Sequence, residues 1–124
     1  MRSVRVANRT RGVILGNRVA VADRWWLRLR GLLGRSELSQ GEGLLLKPCK
    51  AVHMAGMAFP LDVGFLDADG RLIALYPELP PRARTRWHSR ALQALELPAG
   101  TFAATGSGLG DVLETTSQPL GATP

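Results

Sequence analysis

Residues 47–70 read KPCKAVHMAGMAFPLDVGFLDADG, and the second half of this stretch decides the fold. Leu61, Val63 and Phe65 alternate with Asp62 and Gly64 at period 2, the spacing of a strand with a buried face. Asp67-Ala-Asp-Gly70 then punctuates the chain before a second apolar run, Leu72 to Tyr76, as a hairpin turn does. The first half holds the only cysteine, one of two histidines and two of three methionines. Cys49, His53 and Met57 are spaced four apart, which keeps them on one face in either a strand or a helix. The two differ in reach: four residues of strand span roughly 13 Å, whereas i and i+4 on a helix lie about 6 Å apart. Pro60, Gly64 and the alternating run favour extended backbone, which argues against a simple chelate and for a shared pocket wall.

Working outward, Gly43 introduces Leu44, Leu45 and Leu46, a strand buried on both sides. Before it, Asp23 to Gly34 changes period to 3.6, with Trp25, Trp26, Leu29, Leu32 and Leu33 on one side and Arg24, Arg28 and Arg35 largely on the other. That is an amphipathic helix, with Asp23 as N-cap and Gly34 where a left-handed terminator belongs. Its Trp pair reads as packing. Further upstream, Ser3 to Ala7 is a short strand, and GVIL, Gly16-Asn17 and RVAVA read as a hairpin. Downstream, Pro77 to Ser89 has no apolar period and reads as a long surface loop. ALQALEL, Pro98-Ala-Gly100 and TFAATG read as strand, turn, strand, and Asp111 to Glu114 as a last strand. Gly106, Gly108 and Gly110 have the wrong spacing for a dinucleotide fingerprint. Asp67, Asp69 and Glu78 fail as a calcium loop because Leu72 stands at the obligatory glycine.

Many short strands with one amphipathic α-helix near the N-terminus give an all-β, single-domain sandwich or barrel spanning residues 1–114, with 115–124 as a flexible tail. At 124 residues the chain is one domain of ordinary size. A single cysteine excludes an internal disulfide, and no window reaches the apolar length of a membrane span, so a cytoplasmic protein is the default expectation. The net charge of +6, from 16 Lys plus Arg against 10 Asp plus Glu, admits an anionic partner or a merely soluble Arg-rich surface.

These motifs resemble a known family, the bacterial and archaeal domain of unknown function 192. The resemblance rests on a helix ending in Gly31 to Arg35, a Gly-Leu-Leu strand at Gly43 to Leu45, and a Cys49 to Gly70 block. It continues through an L-E-φ-P-A-G element at Leu95 to Gly100 and a closing Gly110-Asp111. It covers roughly Val4 to Leu113 and departs at Gly64, where a larger apolar residue is more usual. It implies a β-sandwich-like domain with the helix packed on it, and no activity.

Function is therefore read from residues. Cys49, His53, Met57 and Asp62 are expected to wall the pocket of a non-enzymatic small-ligand or partner-binding module. Their thiol, imidazole and thioether groups also suit copper or zinc, with Cys49 and His53 as candidate ligands. Asp62 is placed to orient His53, or else to cap a turn. The second candidate is PPRARTRWHSR, Pro80 to Arg90, in which Arg82, Arg84, Arg86 and Arg90 flank Trp87. Arginines alternating around an aromatic suit single-stranded nucleic acid. The alternative is a solvated loop with Trp87 packed against the domain.

Overall fold

The computed structural model describes residues 2–117 apart from Gly31 and Leu33. Within it, β1 (Ser3–Asn8), β2 (Val13–Ala22), β3 (Glu42–Leu46), β4 (Leu61–Leu66), β5 (Leu72–Leu79), β6 (Gln93–Pro98) and β7 (Leu113–Ser117) form one sheet. Their order is β5-β4-β6-β3-β2-β1-β7. All pairings are antiparallel except β2 with β3, which are joined by a crossover containing α1 (Trp25–Arg30). The sheet curls into a half-barrel. Its two edges meet at one corner, where Arg71 bridges Val112 and the Leu72 amide donates to the Asp111 carbonyl at 2.8 Å. The expected all-β architecture is thus barrel-like. Among the described residues no helix is long and apolar enough to cross a membrane.

The alternation seen in residues 61–66 sorts two cores. Val4, Val6, Val19, Val21, Leu45, Leu95 and Leu97 fill the concave side with Phe102, while Leu44, Leu46, Leu61, Val63, Phe65 and Ala94 form an apolar cluster on the outer side. β3, β4 and β6 are therefore covered on both faces, which is why Leu44-Leu45-Leu46 is apolar without interruption. Phe102 enters the concave side from α2 (Thr101–Thr105) and is 1% exposed, a burial worth roughly 2–3 kcal/mol. It explains the departure at Gly64. A Cβ there would stand 2.9 Å from Phe102 Cζ and 2.8 Å from Leu72 Cδ2, so the ring occupies the space a larger residue would need. Asp111, the last residue of the matching motifs, is structural as well. Its Oδ2 accepts from Asn8 Nδ2 at 2.9 Å, Arg11 Nε at 3.0 Å and the Gly108 amide at 3.0 Å, and these bonds hold its carboxyl down at about 2.

Several expectations are corrected. Gly16-Asn17 is not a turn: β2 runs straight through it, with a register shift between Val4 and Val6 of β1. The hairpin turns at Arg9 to Gly12 instead, where Asn8 Oδ1 accepts the Arg11 amide and Gly12 takes φ 69°. TFAATG is helix α2, because Gly100 and Gly106 take left-handed conformations at its two ends and Asp62 binds its first amides. β5 continues through Pro77 to Leu79 by a kink at Glu78, φ 49°. α1 begins at Trp25, with the Arg24 carbonyl accepting the Leu27 and Arg28 amides, and the Asp23 carboxylate lies 3.9 Å from Arg2. The last strand extends to Ser117, pairing with Val4, so Thr115 to Ser117 are sheet; the rest of the expected tail, 118–124, lies outside the described residues.

Candidate functional site

The two sequence candidates turn out to be one structure. Residues 47–60 connect β3 to β4, residues 80–92 connect β5 to β6, and the two segments pair antiparallel outside the sheet. Amides of Cys49, Met54, Thr85 and His88 donate to the carbonyls of Leu92, Ala83, Val52 and Lys50 at 3.1, 2.8, 2.8 and 2.8 Å. Thr85 Oγ1 accepts the Val52 amide at 3.0 Å, and His53 bridges Arg84. Lys50 Nζ ties the far end to the carbonyls of Ser89 and Ala91, both at 2.7 Å. Inside this ribbon Val52, Met54, Thr85 and His88 are buried. His53, Arg82, Arg84, Arg86 and Trp87 are exposed on its outside. The alternation of Arg82, Arg84 and Arg86 with Ala83 and Thr85 is a period-2 pattern that lies outside the sheet.

The four predicted pocket residues do not converge. Asp62 is fully buried, and its carboxylate accepts three backbone amides: Glu78 at 2.8 Å, Gly100 at 3.0 Å and Phe102 at 2.8 Å. It fastens α2 and the β5 kink to β4 and makes no hydrogen bond to His53, which is exposed on the ribbon. The expected pairing of those two is corrected on that ground. Cys49 and Met57 are each half-buried against the outer apolar cluster. Burial pushes the Cys49 thiol up, and the thiol donates to the Ala51 carbonyl at 3.2 Å, so it is held as a thiol, which does not suit a nucleophile. His88 is also committed elsewhere. Tyr76 Oη lies 2.7 Å from its Nε2, the Phe65 ring centroid lies 4.6 Å from its own, and burial followed by Arg86 lowers its pKa. Among the described residues no three His, Cys, Asp or Glu side chains lie together as a metal site requires.

Charge separates the ribbon from the remaining chain. Residues 47–60 and 80–92 contain Lys47, Lys50, Arg82, Arg84, Arg86 and Arg90 and no Asp or Glu, so they carry six of the 16 basic residues and none of the 10 acidic ones. Outside them ten cations face ten anions, and the net +6 of the protein is the charge of the ribbon. The four ion pairs among the described residues, Arg2–Asp23, Arg9–Glu114, Arg11–Asp111 and Arg35–Glu42, all lie elsewhere. Among the described residues the guanidinium groups of Arg82, Arg84, Arg86 and Arg90 make neither a hydrogen bond nor an ion pair. Trp87 is 68% exposed, which overturns the reading in which it packs against the domain.

One residue of the L-E-φ-P-A-G element belongs to neither sequence candidate. Glu96, in the middle of β6, faces outward beneath the ribbon, opposite Leu44 of β3 and Val63 of β4. It is 7% exposed, makes no hydrogen bond among the described residues, and burial pushes its carboxyl up to about 7. The signal was present: a carboxylate between Leu95 and Leu97 in a strand whose neighbours are apolar on both faces.

Comparison with known proteins adds family and fold. No curated protein matches the chain. A crystal structure of a protein of unknown function from Novosphingobium aromaticivorans is 26% identical, with a TM-score of 0.77 over 90% of this chain and 83% of that one. A crystal structure from Sinorhizobium meliloti, described as a "putative transcription regulator", is 27% identical, with a TM-score of 0.77 over 92% of each chain. A family model matches residues 6–115, and on that match the chain belongs to domain of unknown function 192, described as Uncharacterized ACR.

Proposed function

We propose that the chain is a non-enzymatic binding module that docks single-stranded nucleic acid on the outside of its loop ribbon. One observation carries the reading: the whole net charge of the protein sits on this ribbon, without a compensating carboxylate. A backbone-paired ribbon holds its arginines in place before binding, which limits the ordering cost of association. Arg82, Arg84, Arg86 and Arg90 supply the phosphate contacts, and the exposed Trp87 indole gives a base a face on which to stack. The indole also favours nucleic acid over an acidic protein, for which unpaired arginines alone would suffice. The Sinorhizobium meliloti relative's description is compatible with this reading.

Fluorescence anisotropy with labelled single-stranded DNA and RNA oligonucleotides is the test, using wild type and a variant with Arg82, Arg84, Arg86 and Arg90 all replaced by Gln. Binding at low salt that the variant loses is the expected result. Equal binding by both proteins, or none by wild type, would overturn the proposal. Preference for an acidic peptide over either oligonucleotide would reassign the ribbon to a protein partner.

A further inference from the structure

We infer that Glu96 anchors a second binding site, beneath the ribbon, for a small organic cation bearing a primary ammonium group on an alkyl chain. The inference is independent of the nucleic-acid reading, because it uses the opposite side of the ribbon and the opposite charge. Glu96 sits in the interior of the sheet, where β6 lies between β3 and β4. Its in-register neighbours Leu44 and Val63 are 1% and 0% exposed. Leu46, Leu61 and Ala94 extend this apolar floor, and Cys49, Met57 and Phe59 pack onto it from the ribbon.

The carboxylate has no partner of its own in that setting. No buried side-chain oxygen or nitrogen among the described residues lacks a hydrogen bond, and Glu96 makes none, so its oxygens reach solvent through the small opening that leaves it 7% exposed. Arg28, the cation that acts on the neighbouring Cys49 thiol, is engaged through Nη1 with the Lys47 carbonyl at 3.3 Å, and Lys50 Nζ of the ribbon with the Ser89 and Ala91 carbonyls. The titratable group facing it from the ribbon is the Cys49 thiol, which the Glu96 charge helps to push up, while Arg28 of α1 acts on the same thiol in the opposite sense. A buried carboxylate without a partner is costly, and an apolar residue of similar size would be cheaper at this position. The chemistry that relieves it is a compact cation with several donors and an apolar tail, which is an alkylammonium. A guanidinium is planar and wider, and its fork needs both carboxylate oxygens side by side. A metal ion would need further ligands, which the described residues do not gather.

The probe is n-butylammonium chloride, titrated into the intact protein at about pH 8 against sodium chloride of equal ionic strength. Thermal unfolding and the side-chain carboxyl carbon resonance of Glu96 are followed together. Butylammonium is expected to raise the wild-type Tm and to move that resonance. Its apparent affinity should fall about tenfold or more in Glu96→Gln, the loss of one charge-assisted contact. It should also weaken at about pH 5.5, where a proton occupies the same carboxylate. An equal Tm response in Glu96→Gln, or an unmoved Glu96 resonance in wild type, would overturn the inference.

Discussion

The barrel and the ribbon laid over it treat their charges in opposite ways. In the barrel, Asp62 is saturated by three amides and Asp111 by Asn8, Arg11 and Gly108, and cations and anions balance at ten each. On the ribbon six cations stand with no anion, and the four arginine heads on the 80–92 segment have no protein partner among the described residues. The difference separates residues that hold the fold from residues available to something else. Charged groups that a protein needs for stability are hydrogen-bonded in place, whereas exposed unpaired ones contribute little to stability and much to association. Glu96 is the exception that sits between the two regions, since it lies on the barrel and is satisfied by neither.

The contrast can be broken by substitution, beginning with the largest effect. Asp62→Ala leaves three amides, that of Phe102 buried, without their acceptor and should cost about 3–5 kcal/mol in urea unfolding, while the folded fraction keeps its oligonucleotide affinity. A loss below about 1 kcal/mol would remove Asp62 from the structural side of the comparison. Glu96→Gln should act in the other direction and only at higher pH. The Glu96 carboxyl in the folded protein titrates near 7 against an ordinary 4.5, so the folded state binds the proton more tightly than the unfolded chain does. Wild-type stability is therefore full below about pH 4.5 and declines as pH rises toward 7. Gln should recover up to about 3 kcal/mol at pH 8 and almost nothing at pH 4. A pH-independent difference between the two proteins would contradict that assignment. Trp87→Ala should lose about 1–3 kcal/mol of oligonucleotide binding by anisotropy, with no change in Tm. Arg84→Ala should leave stability within about 0.5 kcal/mol and make the salt dependence of binding shallower by about 0.7. A destabilised Arg84→Ala protein would mean that the ribbon's charges serve the fold after all.

Period-2 runs made the strands legible, because alternation is local and the sheet preserves it. Leu61, Val63 and Phe65 do share the outer face, and Leu44 to Leu46 are buried throughout. Residues 101–105 were misread because the cause of their helix is distant: Asp62, about 40 positions earlier, accepts the Gly100 and Phe102 amides. Gly16-Asn17 was misread because turn composition also serves a bulge, and the Asn8 side chain moved the turn to Arg9 to Gly12. The candidate site was half legible. Both segments stood out by composition, but their pairing across the ribbon depends on register, which neither segment encodes alone. Cys49, His53, Met57 and Asp62 share a motif without sharing a site, because a bent connector turns His53 to solvent while β4 carries Asp62 into the concave side. Glu96 stood in a quoted motif without a role, because its isolation becomes visible only when β3 and β4 are placed on either side of it.

The salt dependence of single-stranded oligonucleotide binding tests the central claim most directly. Each phosphate neutralised on a single strand contributes about −0.7 to the slope of log K against log salt, so four ribbon arginines predict a slope of about −3. Affinity should then fall about fiftyfold between 50 and 200 mM salt, and the variant lacking all four arginines should show a slope near zero. A salt-independent affinity in wild type, or a slope of about −3 that survives removal of Arg82, Arg84, Arg86 and Arg90, would contradict the account.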